Sequence, residues 1–198
     1  MRKYELTAEF IKVGDRKLFR IKALIDFVNV KAGDLGGFIE SEKNLDHNGN
    51  AWVYGNARVY GNARVYDNAW IYGNARVHGD AEVYGNARIH GDAEVYGNAR
   101  VYDDARVYYD AEVCGNAWVY GDAWVCGNAD YTTIKGFGTE FRTTTFFRCQ
   151  DDVVRVKCGC FHGTIPEFRE QVKRTREGKI AKEYLMIADL MEMHFEKE

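Results

Sequence analysis

Between Gly49 and Asn128, small or branched apolar residues alternate with polar or aromatic ones on a strict six-residue period. The stretch reads GNAWVY GNARVY GNARVY DNAWIY and onward, thirteen units and the start of a fourteenth with no insertion. Within a unit, Ala and Val or Ile lie two apart, as Ala57 and Val59 do. Extended backbone therefore turns both to one side, and Arg58 and Tyr60 to the other. The Gly-Asn or Gly-Asp between units supplies a tight corner, since both residue types accept left-handed backbone. The pattern predicts a four-residue strand and a corner per unit, with three units closing a triangular coil. That is a mainly β fold, a left-handed parallel β-helix of about 4–5 coils of about 18 residues, each coil rising about 4.8 Å. A right-handed helix with uneven coils fits the constant period less well. A hairpin array would have to reverse direction every six residues, which such short units can hardly bury.

Residues one coil apart then stack, and three outward faces can be written. The first carries Trp52, Trp70, Arg88, Arg106 and Trp124, beside Tyr54, Tyr72, His90, Tyr108 and Cys126. The second carries Arg58, Arg76, Glu94, Glu112 and Asp130; the third carries Arg64, Glu82, Arg100 and Trp118. All four Trp of the chain lie in these outward rows. Stacked rings can stiffen the rod or join copies of the chain, because Trp, Tyr and Arg are enriched at interfaces. This leads to the expectation of a homo-oligomer, dimer or trimer. The same Trp52, Trp70, Arg88, Arg106 and Trp124 ladder could instead stack on bases and pair with phosphates, as a ligand-binding platform.

The flanks divide the chain into 1–48, an N-terminal β cap, 49–130, the repeats, and 131–198, a C-terminal α+β module. Tyr4–Val13 and Lys17–Phe27 read as a β-hairpin about Gly14-Asp15. Gly33, Gly36 and Gly37 mark a bend into the first coil, and the open end of a solenoid needs such a cap. In the last segment, Glu140–Cys149 and Val153–Cys160 read as a hairpin about Asp151-Asp152. Thr164, Pro166 and Glu167 open a helix with a capping box, and a second helix follows Gly178. Its stripe of Ile180, Tyr184, Leu185, Ile187, Ala188, Met191, His194 and Phe195 is expected to pack on the hairpin.

Charge changes this picture little. The three segments carry +1, −5 and +1, giving the net −3 of the chain. None is basic enough to grip extended nucleic acid through its phosphates. No stretch reads as a signal peptide or membrane span, so no membrane partner and a cytoplasmic location, in a bacterial host cytosol, are expected. Five Cys, an odd number, fit reduced thiols.

The run Asp26-Phe27-x-Asn29-Val30-Lys31-Ala32-Gly33-x-x-Gly36-Gly37, followed by a hydrophobic strand and the first repeats, resembles the start of YdcK-type proteins. Those are bacterial, hexapeptide-repeat-like proteins that carry an acyltransferase label, and the likeness covers roughly residues 1–60. The repeats are also similar to short β-helix chains of phage and prophage origin. The resemblance implies a β-helix in a phage or bacterial setting and, as one alternative, transfer of an acyl group from acetyl-CoA. Enzymes of that class use a histidine as general base, and the in-repeat candidates are His78 and His90. They fall on different faces and take Tyr positions, where a solvated surface histidine is the simpler reading. Such enzymes also interrupt the helix with a loop, and this helix has none.

Cys158, Cys160 and His162, with Cys149, form a weak metal motif, since thiolate and imidazole suit zinc. Paired Cys-x-x-Cys knuckles are missing, and buried hairpin thiols explain them as well. The sequence thus points to a non-catalytic β-helix binding or scaffold protein without a cofactor. Its expected role is that of a phage or prophage accessory protein that captures a partner protein or a small nucleotide. A CoA-dependent acyltransferase and a purely structural rod are the alternatives.

Overall fold

The computed structural model describes residues 2–196. Thirteen two-residue strands, β4 (Trp52–Val53) to β16 (Trp124–Val125), follow one another every six residues. They pair strictly in parallel with the strand three units away, Trp52 with Trp70 and Val53 with Ile71, for example. Three sheets result. One orders β4-β7-β10-β13-β16, one continues β5-β8-β11-β14, and one holds β6-β9-β12-β15. The three faces hold the residues the period assigns to them except Asp130. It leaves the second row in a short 3-10 turn, Asn128–Asp130, where its carboxylate accepts from Cys126 N at 2.9 Å. The strands are shorter than the expected four residues because Ala and Tyr flank the corners. Tyr54 O, for instance, accepts from Ala57 N at 3.1 Å and closes the turn.

In the thirteen full units every Ala and every Val or Ile points inward and is at most 1 % exposed, making one continuous core. Along the corners, side-chain amides form ladders. Asn50 donates to Asn68 at 2.9 Å, Asn68 to Asn86 at 3.2 Å, and Asn86 to Asp104 at 3.1 Å. A carboxylate only accepts, so this run of donations ends at Asp104.

The N-terminal hairpin, β1 (Tyr4–Val13) with β2 (Arg16–Ala23), is antiparallel and continues through β3 (Leu35–Ile39) into the second face, where β3 pairs in parallel with β5 (Arg58–Val59). Phe38 sits opposite Arg58 and Leu45 opposite Val65, twenty residues apart rather than eighteen, so this first turn carries two extra residues. Gly36 and Gly37 do not make a bend. Both are buried inside β3, where an added Cβ would meet Val53 O and Ala57 O, each at 2.6 Å. The cap thus seats its backbone directly on the first repeats. Tyr4 Oη donates to Leu45 O at 2.7 Å and Lys3 Nζ to Ala51 O at 2.8 Å. Burial pushes the Lys3 ammonium down to about 8.

The far end is closed by side chains that replace the missing next coil. Glu112 N donates to Asn128 Oδ1 at 2.8 Å, Cys114 N to Tyr131 Oη at 3.2 Å, and Trp118 N to Thr145 Oγ1 at 3.1 Å. The C-terminal module is a four-stranded antiparallel meander: β17 (Tyr131–Phe137), β18 (Arg142–Arg148), β19 (Val154–Cys158) and β20 (Phe161–Thr164). The β18–β19 hairpin is the expected one; β17 and β20 are additional. Their short Thr- and Gly-containing sequences, YTTIKGF and FHGT, lack the alternation that marks a strand. Helix α1 (Ile165–Thr175) opens on the capping box of Thr164 and Glu167, and α2 is Gly178–His194. Phe146, Val156, Phe168, Ile187, Ala188, Met191 and Phe195 share a second core. His194 departs from the expected stripe and is exposed. No helix among the described residues is long and apolar enough to cross a membrane.

Candidate functional site

The first face carries the ladder that the period singles out, but not as one surface. Trp52 is only 1 % exposed. The loop after β2 folds over it with Phe27 at 5.3 Å edge-on, and Tyr4 at the start of β1 lies at 6.2 Å. The Asp26–Gly37 run therefore shields the first rung, and Trp52 leaves the platform. The remaining four residues stay accessible. Trp70 and Arg106 are half-buried, Arg88 is exposed, and Trp124 is 37 % exposed. Trp70, Arg88 and Arg106 line an open groove of about 390 Å³ with Val28 and the amide ladder of Asn50, Asn68 and Asn86, ending at Asp104.

The charges of this groove are unbalanced. Arg88 and Arg106 are direct partners across two strands. Like charges in that position repel, at a cost of a few tenths to about 1 kcal/mol. On the other faces most comparable cations find carboxylates, although Arg58, stacked on Arg76, forms no ion pair among the described residues. Arg76 meets Glu94 at 2.9 Å, and Arg100 meets Glu82 at 3.1 Å. Among the described residues neither Arg88 nor Arg106 forms an ion pair. Arg88 lies over the Trp70 ring at 5.4 Å, a cation–π contact that leaves its charge intact. Beside them, Tyr72 and His90 lie with ring centres 4.4 Å apart. Burial, with a hydrogen bond to Tyr108, pushes the Tyr72 phenol up to about 12.

The two candidate bases are held in ring stacks. His78 is sandwiched between Tyr60 at 4.8 Å and Tyr96 at 5.2 Å, both nearly parallel to it. Its Nε2 lies 2.6 Å from Glu94 Oε1, while Arg76 holds the other Glu94 oxygen. His90 sits between Tyr72 and Tyr108 on the first face. The two are not brought together.

Nor are Cys158, Cys160 and His162 brought together into a metal site. Cys158 Sγ accepts from Thr144 Oγ1 at 3.2 Å, while Cys160 is exposed in the turn after Gly159. His162 stands opposite Lys157 on β20. The β-turn between these strands separates the three side chains. Asp122, Cys149 and Asp151 do converge, their ligand atoms within 4.8 Å of one another. A guanidinium already serves them. Arg155 contacts both Asp151 oxygens at 3.0 Å and Asp122 at 3.5 Å. Burial pushes the Cys149 thiol up to about 12, away from the thiolate a metal would need.

One feature escapes the period altogether. Where the third face ends, Trp118 meets the C-terminal sheet and lines a cleft with Lys157 and Arg142. Trp118 as the one Trp of its row was the visible signal; residues 24 to 42 positions later complete the cleft, and no spacing announces them.

Three stretches of the solenoid, 51–67, 57–71 and 93–109, match the YdcK β-solenoid repeat. No curated protein matches the chain. The matched stretches lie wholly within the repeats, where sheet register and inward rows carry the same period, and match and fold together support a β-solenoid repeat protein.

Proposed function

We propose that the chain is a non-catalytic scaffold that captures an acidic segment of a partner protein along its first face. The observation that carries this reading is the Arg88–Arg106 rung pair. Two stacked cations outnumber the one carboxylate of the groove, Asp104, which pairs with neither among the described residues. Flanked by the indoles of Trp70 and Trp124, the cations cost stability in the free protein and gain it when an anion covers them. Trp and Arg are the residue types that anchor protein interfaces. The groove beside them offers depth for side chains, and the amide ladder forms a wall in which each Asn spends one N–H on the next rung. From Trp70 to Trp124 the ladder spans three rung spacings, about 14 Å, the length of roughly four extended residues.

The test is fluorescence anisotropy with a labelled oligoglutamate peptide and its oligoglutamine counterpart. The glutamate peptide is expected to bind saturably and to weaken as salt rises. Arg88→Gln combined with Arg106→Gln should reduce its affinity about tenfold or more, equivalent to about 1.4 kcal/mol. His78→Asn, on another face, should leave it unchanged. Equal binding of the neutral peptide, or binding indifferent to both arginines, would overturn the reading. Light-scattering mass on the same samples separates this from self-association. A stable oligomer that the double variant dissociates would make a second copy the occupant.

A further inference from the structure

We propose that the cleft between the third face of the solenoid and the C-terminal sheet binds a small planar anion, a ring carrying a phosphate of the mononucleotide kind. This is a second site, on a different face from the arginine pair, and does not rest on the reading of that pair.

The cleft exists because the third sheet stops at β15 (Trp118–Val119). No further coil covers the Trp118 rung. Instead β18 crosses the end of the rod, and the Thr145 hydroxyl accepts from Trp118 N. The opening left beside this contact measures about 410 Å³, within the general range for small-molecule sites of about 300–1,000 Å³. Trp118, Thr143, Thr145 and Cys160 line it with Asn116, Lys157 and Arg142.

Two chemistries meet there. One is positive charge: the lining holds two cations and no carboxylate. Lys157 forms no ion pair among the described residues and rests its ammonium over Trp118 at 5.2 Å and Tyr120 at 5.8 Å. Arg142 has only Glu140, at 3.8 Å, and both side chains are more than half exposed. Exposed pairs of that kind hold their charges weakly, so Arg142 is free to turn to a ligand. In a chain of net charge −3, an acid-free concave patch with two cations is selective for anions. The other chemistry is the aromatic floor. The Trp118 ring already carries two cations, Arg100 at 5.0 Å and Lys157 at 5.2 Å. A ligand ring therefore stacks on the indole in place of the Lys157 ammonium, which turns to the phosphate. That exchange suits a ring carrying an anion more than a bare inorganic ion. The Thr143 hydroxyl and the Asn116 amide are the donors left for polar groups on the ring.

A second cavity of about 230 Å³ opens under the same turn, and Arg142, Gly159 and Cys160 line both. Gly159 holds a left-handed backbone, and a Cβ there would meet Arg142 Nη1 at 2.8 Å. The bare glycine therefore leaves the guanidinium room beside the turn's backbone, between the two openings.

The experiment is calorimetric titration of the full chain with adenosine monophosphate, with adenosine and inorganic phosphate as separate titrants. The indole N–H signals of the four Trp are followed in parallel. Adenosine monophosphate should bind with a Kd below about 1 mM and move the Trp118 signal, assigned with Trp118→Phe. Adenosine alone and phosphate alone should each bind at least about tenfold more weakly. Lys157→Met keeps the apolar stem and the fold, and Arg142→Gln changes an exposed side chain; each should weaken binding about tenfold. The Arg88→Gln and Arg106→Gln double variant should bind the nucleotide as the parent does. No saturable binding, phosphate binding as tightly as the nucleotide, indifference to Lys157 and Arg142, or loss in the first-face variant would each overturn the proposal.

Discussion

Tyr109 stands in a corner position that its stacked neighbours Gly55, Gly73 and Gly91 fill with glycine. Its φ is +55°, in the left-handed region, and its side chain is 67 % exposed. A left-handed backbone costs a residue with a side chain about 1–2 kcal/mol; a glycine there relieves that strain but gives back part of the gain through the extra chain entropy it loses on folding. Tyr109→Gly is therefore expected to stabilise the protein by up to about 1 kcal/mol in urea unfolding, with an unchanged dependence on urea. A loss of stability would show that the Tyr109 ring, 6.4 Å from Tyr108, contributes more than its backbone costs. The position was legible in the sequence, because YDAEVC breaks the glycine rule of its neighbours. The burial of Trp52 was not. It depends on Phe27 and Tyr4, which are placed on the indole only after the cap has folded across the first turn.

At the scale of elements, the third face carries a continuous ring stack. Tyr66, Tyr84, Tyr102 and Tyr120 follow one another at 4.8, 4.9 and 5.2 Å, with planes within 12° of parallel. Burial is the main cause that raises all four phenols, Tyr66 and Tyr120 to about 12. The folded chain thus keeps protons that the unfolded chain releases near pH 10, the ordinary value. Their contribution is complete below pH 10 and is lost as pH rises through about 12. Lys3 works in the opposite sense. Lowered to about 8 from 10.5, its ammonium deprotonates earlier in the folded chain, so its contribution rises with pH between those values. Urea midpoints measured across this range should climb from about pH 8 and turn down above about pH 10. Lys3→Met should remove the climb and leave the fall. A profile flat above pH 10 would contradict the buried stack. The stacked rows themselves were readable from the six-residue period, since a constant period fixes which side chains meet.

For the whole molecule, the same period placed the residues of the thirteen full units on their faces, yet it missed Asp130 and could not reach the sites that the ends create. The solenoid core and the C-terminal core are separate clusters, and the cleft at Trp118 arises only where a sheet from one meets a face of the other. Cys158, Cys160 and His162 looked close in sequence but are parted by a turn. Asp122, Cys149 and Asp151, scattered over thirty residues, converge on Arg155. Contacts made across the end of the rod have no periodicity to announce them.

The central claim is that the first face holds unbalanced positive charge for a partner. Arg106→Gln tests it most directly, because Arg106, unlike Arg88, makes no cation–π contact with Trp70 whose loss would confuse the result. Urea stability and oligoglutamate binding would be measured on the same sample. The account expects stability to hold or rise by about 0.2–1 kcal/mol as the repulsion is relieved. Peptide affinity should fall about tenfold at the same time. A variant that loses stability while binding the peptide as the parent does would contradict it.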